Sequence, residues 1–208
     1  FSGSTTFEIV KADSSATAPT ANDLTYTGSA QELVTAGTAS GGTMKYRLGD
    51  SGEFTETIPT ATNAGIYTVY YMVAGDSNHK DTAPQNVTVI IKAKTVSEPT
   101  IIVEDGPFVY TGDEIKPTVT VKDSETVISA SQYTVSYKDN TNVGTATVTV
   151  TSNNGGNYDF TGTATFEITT SDSSVTAAPK ANDLTYNGSA QELVTAGIAS
   201  GGTMKYRL

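Results

Sequence analysis

The sequence predicts an all-β fold, an elongated tandem array of small antiparallel β-sandwiches. Three observations carry this. Long blocks of sequence recur almost unchanged. Between and within them, short runs alternate apolar and polar residues with a period of two. Polar turns rich in Gly, Asn and Asp break those runs at short intervals.

The repeat is the strongest signal. Residues 22–48 and 182–208 differ only at Thr27 against Asn187 and at Thr38 against Ile198. FSGSTTFEI at residues 1–9 matches FTGTATFEI at residues 160–168. The two matches are offset by 160 and 159 residues, so one residue was gained or lost in 10–21 or its copy. A stretch that tolerates such a change reads as a linker. A weaker repeat lies inside the long one. DLTYTGSAQEL at 23–33 resembles PFVYTGDEIKP at 107–117, and NAGIYTVYY at 63–71 resembles NVGTATVTV at 142–150. The long period is therefore two related domains, type 1 and type 2.

The chain then divides as follows. Residues 1–9 read as the last strand of a preceding type 2 domain and 10–17 as a linker. Residues 18–93 read as a type 1 domain and 94–170 as a type 2 domain. Residues 171–175 read as a second linker, and 176–208 as the incomplete first part of a further type 1 domain. The sequence is expected to be a window on a longer array.

Strand patterning selects the candidate core. Tyr67, Val69 and Tyr71 alternate with Ile66, Thr68, Tyr70 and Met72, the second set being half covered. Val148 and Val150 alternate with Thr147, Thr149 and Thr151, and Tyr133 and Val135 with Thr134 and Ser136. The last strands supply Val89 and Ile91 in type 1 and Phe166 and Ile168 in type 2; Tyr26 and Tyr110 open the two domains. These thirteen residues are the expected structural core. The only helix candidate, 30–36, is flanked too closely by Thr and Gly to hold.

The Leu/Phe-x-Tyr-Thr-Gly opening, the Asn-Ala-Gly-Ile-Tyr-Thr-Val strand and the Gly156-Asn157-Tyr158 … Gly162 … Phe166-Glu167-Ile168 ending resemble bacterial Ig-like repeats of the MBG or Big type. The resemblance implies Ig-like sandwiches in a large surface or secreted protein of Gram-positive bacteria, acting as a spacer or adhesin stalk. It implies an extracellular, cell-wall setting and neighbouring repeats, of the same protein or of another copy, as partners.

Composition narrows function further. With 22 acidic against 12 basic residues the net charge is -10, which opposes nucleic acid and anionic membranes. Cysteine is absent, removing disulfides, thiolate metal sites and cysteine nucleophiles. No apolar run is long enough to insert in a membrane. His79 is the only histidine, and no serine sits in a Gly-x-Ser-x-Gly elbow. No catalytic, cofactor-binding or metal residue is assigned, and no enzyme is expected. The acidic pairs Glu104–Asp105, Asp113–Glu114 and Asp123 with Glu125 are the oxygen ligands calcium takes, but no Asp-x-Asp-x-Asp-Gly loop gathers them. They read as solvated turn charges. An internal Lys–Asn isopeptide bond would need a dry lysine, for which Lys45 and Lys116 are the candidates and Asn86 the partner. Two alternatives to a stalk stand. The domains themselves bind host protein or glycan through loops 49–54, 75–81 and 153–159, or copies assemble into a fibre by strand complementation.

Overall fold

A computed structural model describes residues 1–104 and 106–207; Asp105, half of one acidic pair, lies outside the described residues. The described chain is all-β, consistent with a β-sandwich, its one helical element being a 3-10 turn at Ala130–Gln132. The helix candidate at 30–36 is instead two short strands, Gln31–Glu32 and Val34–Thr35.

The chain divides into two compact units. One comprises Phe1–Thr100, Val121–Thr134 and Val150–Gly162; the other comprises Ile101–Thr120, Val135–Thr149 and residues from Thr163 on. The first unit holds a four-stranded sheet in the order Leu24–Thr25, Gln85–Lys92, Gly65–Gly75, Gly42–Leu48. A second four-stranded sheet has the order Phe108–Val109, Thr161–Thr169, Gly144–Ser152, Tyr133–Lys138. The two orders correspond strand for strand, which is the structural form of the weaker repeat. In both, the central strand begins at a glycine with positive φ, Gly65 and Gly144. A side chain is strained in that backbone region, so the Asn-x-Gly of both copies is a backbone requirement.

The period-two pattern sorts the first sheet. Along Gly65–Gly75, Val69, Tyr71 and Val73 are buried and Tyr67 is half-buried. Thr68, Tyr70 and Met72 are half-covered as expected, whereas Ile66 stands exposed. Across the antiparallel pair, Val69 faces Val87, Tyr67 faces Val89 and Gly65 faces Ile91. The cluster formed by Leu33, Val34, Tyr46, Val69, Tyr71, Val89 and Ile91 draws on residues of the expected type 1 domain alone. Elsewhere Tyr133, Val148, Val150, Phe166 and Ile168 are buried, and Val135 and Tyr26 are half-buried.

Tyr110 departs from expectation: it is 39% exposed. The strand before it is only two residues long, Phe108–Val109, and the ring packed on Phe166 is that of Phe108, at 4.9 Å between centroids. Tyr110 sits past the strand's end, where the Thr-Gly turn begins, and is only partly covered. Leu33 and Val34 were missed for the opposite reason. At Leu33 the chain passes from pairing with Thr60–Ala61 to pairing with Thr20–Ala21, and a chain that changes sheets breaks the pleat and buries two neighbours in succession.

The expected linkers are corrected as well. Residues 12–13 and 15–17 are strands, pairing with His79–Lys80 and Thr38–Ser40. Ser174–Ala177, which begins in the second expected linker, pairs with Ile198–Ser200. The extra residue is absorbed there. Ser174 faces Ser200 and Val175 faces Ala199, but Ala177 faces Ile198, so Thr176 bulges out of register. The length change therefore lies inside a strand. Between Gln85–Lys92 and the next strand, Lys94–Thr95, only Ala93 intervenes.

Residues 1–9 form no strand, and Phe1, Phe7 and Ile9 are exposed. Their near-copy, Thr161–Thr169, lies between two strands of its sheet. No such neighbours flank residues 1–9 among the described residues, and an unpaired extended segment has unmet backbone groups that only water can satisfy.

Adjacent residues of one strand test this burial pattern. Ile91 is 1% exposed and Ile90 51%. Ile91→Ala should cost about 3 kcal/mol in denaturant unfolding, and Ile90→Ala no more than about 0.5 kcal/mol.

Candidate functional site

The candidate site is the place where an incoming strand meets a receiving loop. Two such places share one construction. In the first, Ala12 donates its backbone N–H to the carbonyl of Asn78 (2.9 Å), and Ala12–Asp13 runs parallel to His79–Lys80. In the second, Lys94 donates to the carbonyl of Asn157 (2.9 Å), and Lys94–Thr95 runs parallel to Tyr158–Asp159. An asparagine-led loop thus receives each incoming strand. The sequence shows only Asn-His-Lys-Asp and Asn-Tyr-Asp-Phe, with no evident kinship.

Asn157 uses every polar group it has. Its carbonyl takes Lys94 N–H, and its own N–H donates to Gln132 Oε1 (3.3 Å). Its side-chain Oδ1 accepts from Ala64 N–H (2.8 Å), and its Nδ2 donates to Asn63 Oδ1 (3.1 Å). Beside it the rings of Tyr26 and Tyr158 meet edge-on at 5.3 Å. Lys94 also pairs with Asp123, whose carboxylate raises the lysine pKa through their hydrogen bond. Burial pushes the Tyr158 phenol up, with Tyr26 adding to the effect.

At the first hand-over, Lys11 Nζ donates to the Asp76 carbonyl (3.1 Å). Ser14 Oγ lies 2.6 Å from the Lys80 carbonyl and 3.0 Å from that of Gly41, so its hydroxyl is committed to backbone. His79 Nδ1 lies 2.7 Å from Asp76 Oδ1, and that bond holds the Asp76 carboxyl below its ordinary value. This His–Asp pair braces the loop.

Two of the three loops considered for adhesion, 75–81 and 153–159, are thus engaged by the incoming strand. Loop 49–54 is engaged by none. There Arg47 lies over Phe54 at 4.7 Å and over Tyr70 at 5.0 Å, and Tyr70 donates to Asp50 (2.5 Å). An open cleft of about 760 Å³ is lined by Ala93, Val96, Asn153, Gly156, Tyr158 and Asp159 among others; Asp159 is its one carboxylate. Three of the acidic residues considered for calcium, Glu104, Glu114 and Asp123, have other partners. Asp123 pairs with Lys94, Glu114 with Lys116 at 2.5 Å, and Glu104 accepts from Thr120 (2.5 Å). Among the described residues no group of three His, Asp or Glu side chains gathers to hold a metal.

The dry triad for an isopeptide bond is not assembled. Lys45 pairs with Glu56 (3.4 Å), Lys116 is half exposed beside Glu114, and Asn86 is exposed opposite Tyr70. Asn86 points outward beside the half-buried Val87, at the start of the strand where Gln85 is exposed as well. Asn140, which the sequence places in a turn, is the buried polar residue. Its Nδ2 donates to the Ile115 carbonyl (3.0 Å) and its own carbonyl accepts from Ile115 N–H (2.8 Å).

No protein-family model matches the chain, and no curated protein matches it.

Asn157→Ala removes two side-chain hydrogen bonds and should lower stability by about 1–2 kcal/mol by thermal unfolding. Asn78→Ala, where only the carbonyl receives the strand, should cost less than about 0.5 kcal/mol. The phenol gives a pH test. Because the folded state raises the Tyr158 pKa, its contribution is complete below the ordinary phenol pKa of 10.0 and is lost as pH rises through the raised value. Melting temperature should therefore fall above about pH 10, with a shallower slope in Tyr158→Phe.

Proposed function

We propose that this chain is a load-bearing spacer: tandem Ig-like β-sandwich repeats in the stalk of a bacterial cell-surface protein or adhesin, outside the cell and without catalytic activity of their own. One observation carries this reading. In both four-stranded sheets the first strand runs parallel to the last. Leu24 faces Ile91 and Thr25 faces Lys92; Phe108 faces Ile168 and Val109 faces Thr169. Each pair is extended by one further bond, from Tyr26 N–H to the Lys92 carbonyl (2.8 Å) and from Tyr110 N–H to the Thr169 carbonyl (2.9 Å).

When the chain is pulled, the first strand is drawn one way and the last strand the other. In a parallel pair these forces lie along the strands, so the hydrogen bonds are loaded in shear and must break together. An antiparallel hairpin pulled from its open end gives way one bond at a time. The parallel pairing therefore suits a segment that must stay folded under tension. The net charge of -10 supports an exposed surface that repels its neighbours. The absence of cysteine leaves the resistance to these clamps and to the apolar cluster.

Single-molecule pulling of the full chain tests the reading. Each clamp that opens should release roughly 60–70 residues, or about 200–250 Å of contour length. Tyr110→Pro deletes the donor to Thr169 at a site already exposed, and the preceding Val109 is extended as proline requires. One of the unfolding peaks should then fall in force while the others hold. A featureless extension of the unmodified chain, or a proline variant with unchanged peaks, would refute the load-bearing role.

A further inference from the structure

We infer that Asn154 is a site of spontaneous modification: its side-chain amide is lost through attack by the Gly155 backbone nitrogen, leaving a carboxylate in the turn that opens the receiving loop. The inference rests on the chemistry of that turn and not on the load-bearing role.

The chain holds two Asn-Gly steps, Asn154–Gly155 and Asn187–Gly188. Glycine leaves this attack open, since it has no Cβ to crowd its nitrogen. The structure separates the two steps. Gly156 N–H donates to the Asn153 carbonyl (3.0 Å), which places Asn154 and Gly155 at the centre of a four-residue turn, with Gly155 at φ 71°. Both residues are exposed, and a Cβ added at Gly155 would meet nothing within 4 Å. Among the described residues neither the Asn154 side chain nor the Gly155 N–H has a hydrogen-bond partner. The nucleophile and the carbonyl are therefore both free to meet. At the second step Asn187 Oδ1 accepts from Ser189 N–H (3.0 Å). That bond holds the side chain and must break before Cγ can reach the Gly188 nitrogen. Neighbouring asparagines are protected differently. The nitrogen after Asn63, that of Ala64, is committed to Asn157 Oδ1 (2.8 Å). Asn157 has both side-chain groups bound and is followed by Tyr158.

The step needs no co-reactant but water. Hydroxide takes the Gly155 amide proton, and the nitrogen bonds to Asn154 Cγ. The Cγ–Nδ2 bond breaks, and the departing nitrogen takes protons from water to leave as ammonia, regenerating hydroxide. A five-membered imide remains, which water then opens. Scission between the nitrogen and Cγ leaves aspartate. Scission between the nitrogen and the main-chain carbonyl leaves isoaspartate, with the backbone running through the side-chain methylene. Either product adds a negative charge. Asn154 lines the open cleft whose one carboxylate is Asp159, so the conversion gives that cleft a second. Isoaspartate also lengthens by one carbon the turn between Gly144–Ser152 and Tyr158–Asp159.

The full chain is held folded at mildly alkaline pH and, in parallel, unfolded in urea. Samples taken over days are digested, and the peptides carrying Asn154 and Asn187 are separated by chromatography and weighed. In the folded chain Asn154 should convert several-fold faster than Asn187, to an aspartyl and an isoaspartyl form of equal mass, at a rate that rises with pH. In urea the two rates should converge, because the bond to Ser189 is gone. Asn154→Asp supplies the retention standard for one product. Asn154→Gln should abolish the faster conversion and leave the rate at Asn187 unchanged. An Asn154 that stays intact in the folded chain while the unfolded chain converts would overturn the inference, as would an Asn187 that converts equally fast in the folded chain.

Discussion

The last strand of each four-stranded sheet depends on a partner that lies far from it in sequence, residues 24–25 in the first and 108–109 in the second. The last strand of the first repeat is held on one side by residues 24–25 and on the other by 65–75, and neither contact is local. Where both partners exist, the sequence forms a sheet. FTGTATFEI falls in the central strand Thr161–Thr169, while FSGSTTFEI at 1–9 is not a strand among the described residues. Intrinsic β-propensity is almost the same in the two copies, so the difference is wholly tertiary.

The same dependence explains why the repeat at 174–207 is partly formed. Its short pairs, Ser174–Ala177 with Ile198–Ser200 and Lys180–Ala181 with Val194–Thr195, close within the half and are present. Leu193, Val194 and Tyr206 are exposed, whereas their counterparts Leu33, Val34 and Tyr46 are buried in a cluster with Val69, Tyr71, Val89 and Ile91.

Much of the sheet architecture was legible from the residues. The alternation of Val69 and Tyr71 with Thr68 and Tyr70, and of Val148 and Val150 with Thr147 and Thr149, maps directly onto burial. What was not legible shares a cause. Strands of two or three small residues, such as Ala12–Asp13 and Ser15–Thr17, have too little length to show a period and the Ser/Thr/Ala composition of a linker. Leu33 and Val34 lie where the chain changes sheets, so alternation fails at the point of deepest burial. The roles of Asn157 and Asn140 depend on partners such as Ala64 and Ile115, which pairwise spacing does not reveal.

The bulge at Thr176 bears on how recurring blocks of sequence change with time. One added residue in a regular strand would turn every following side chain to the opposite face. Here the frame recovers within a single position, and Ala177 resumes pairing with Ile198. An edge strand of this kind acts as a buffer for odd-numbered insertions. Copies can therefore drift apart in length while their interiors stay superimposable, and a fixed period is a poor ruler for finding the next one.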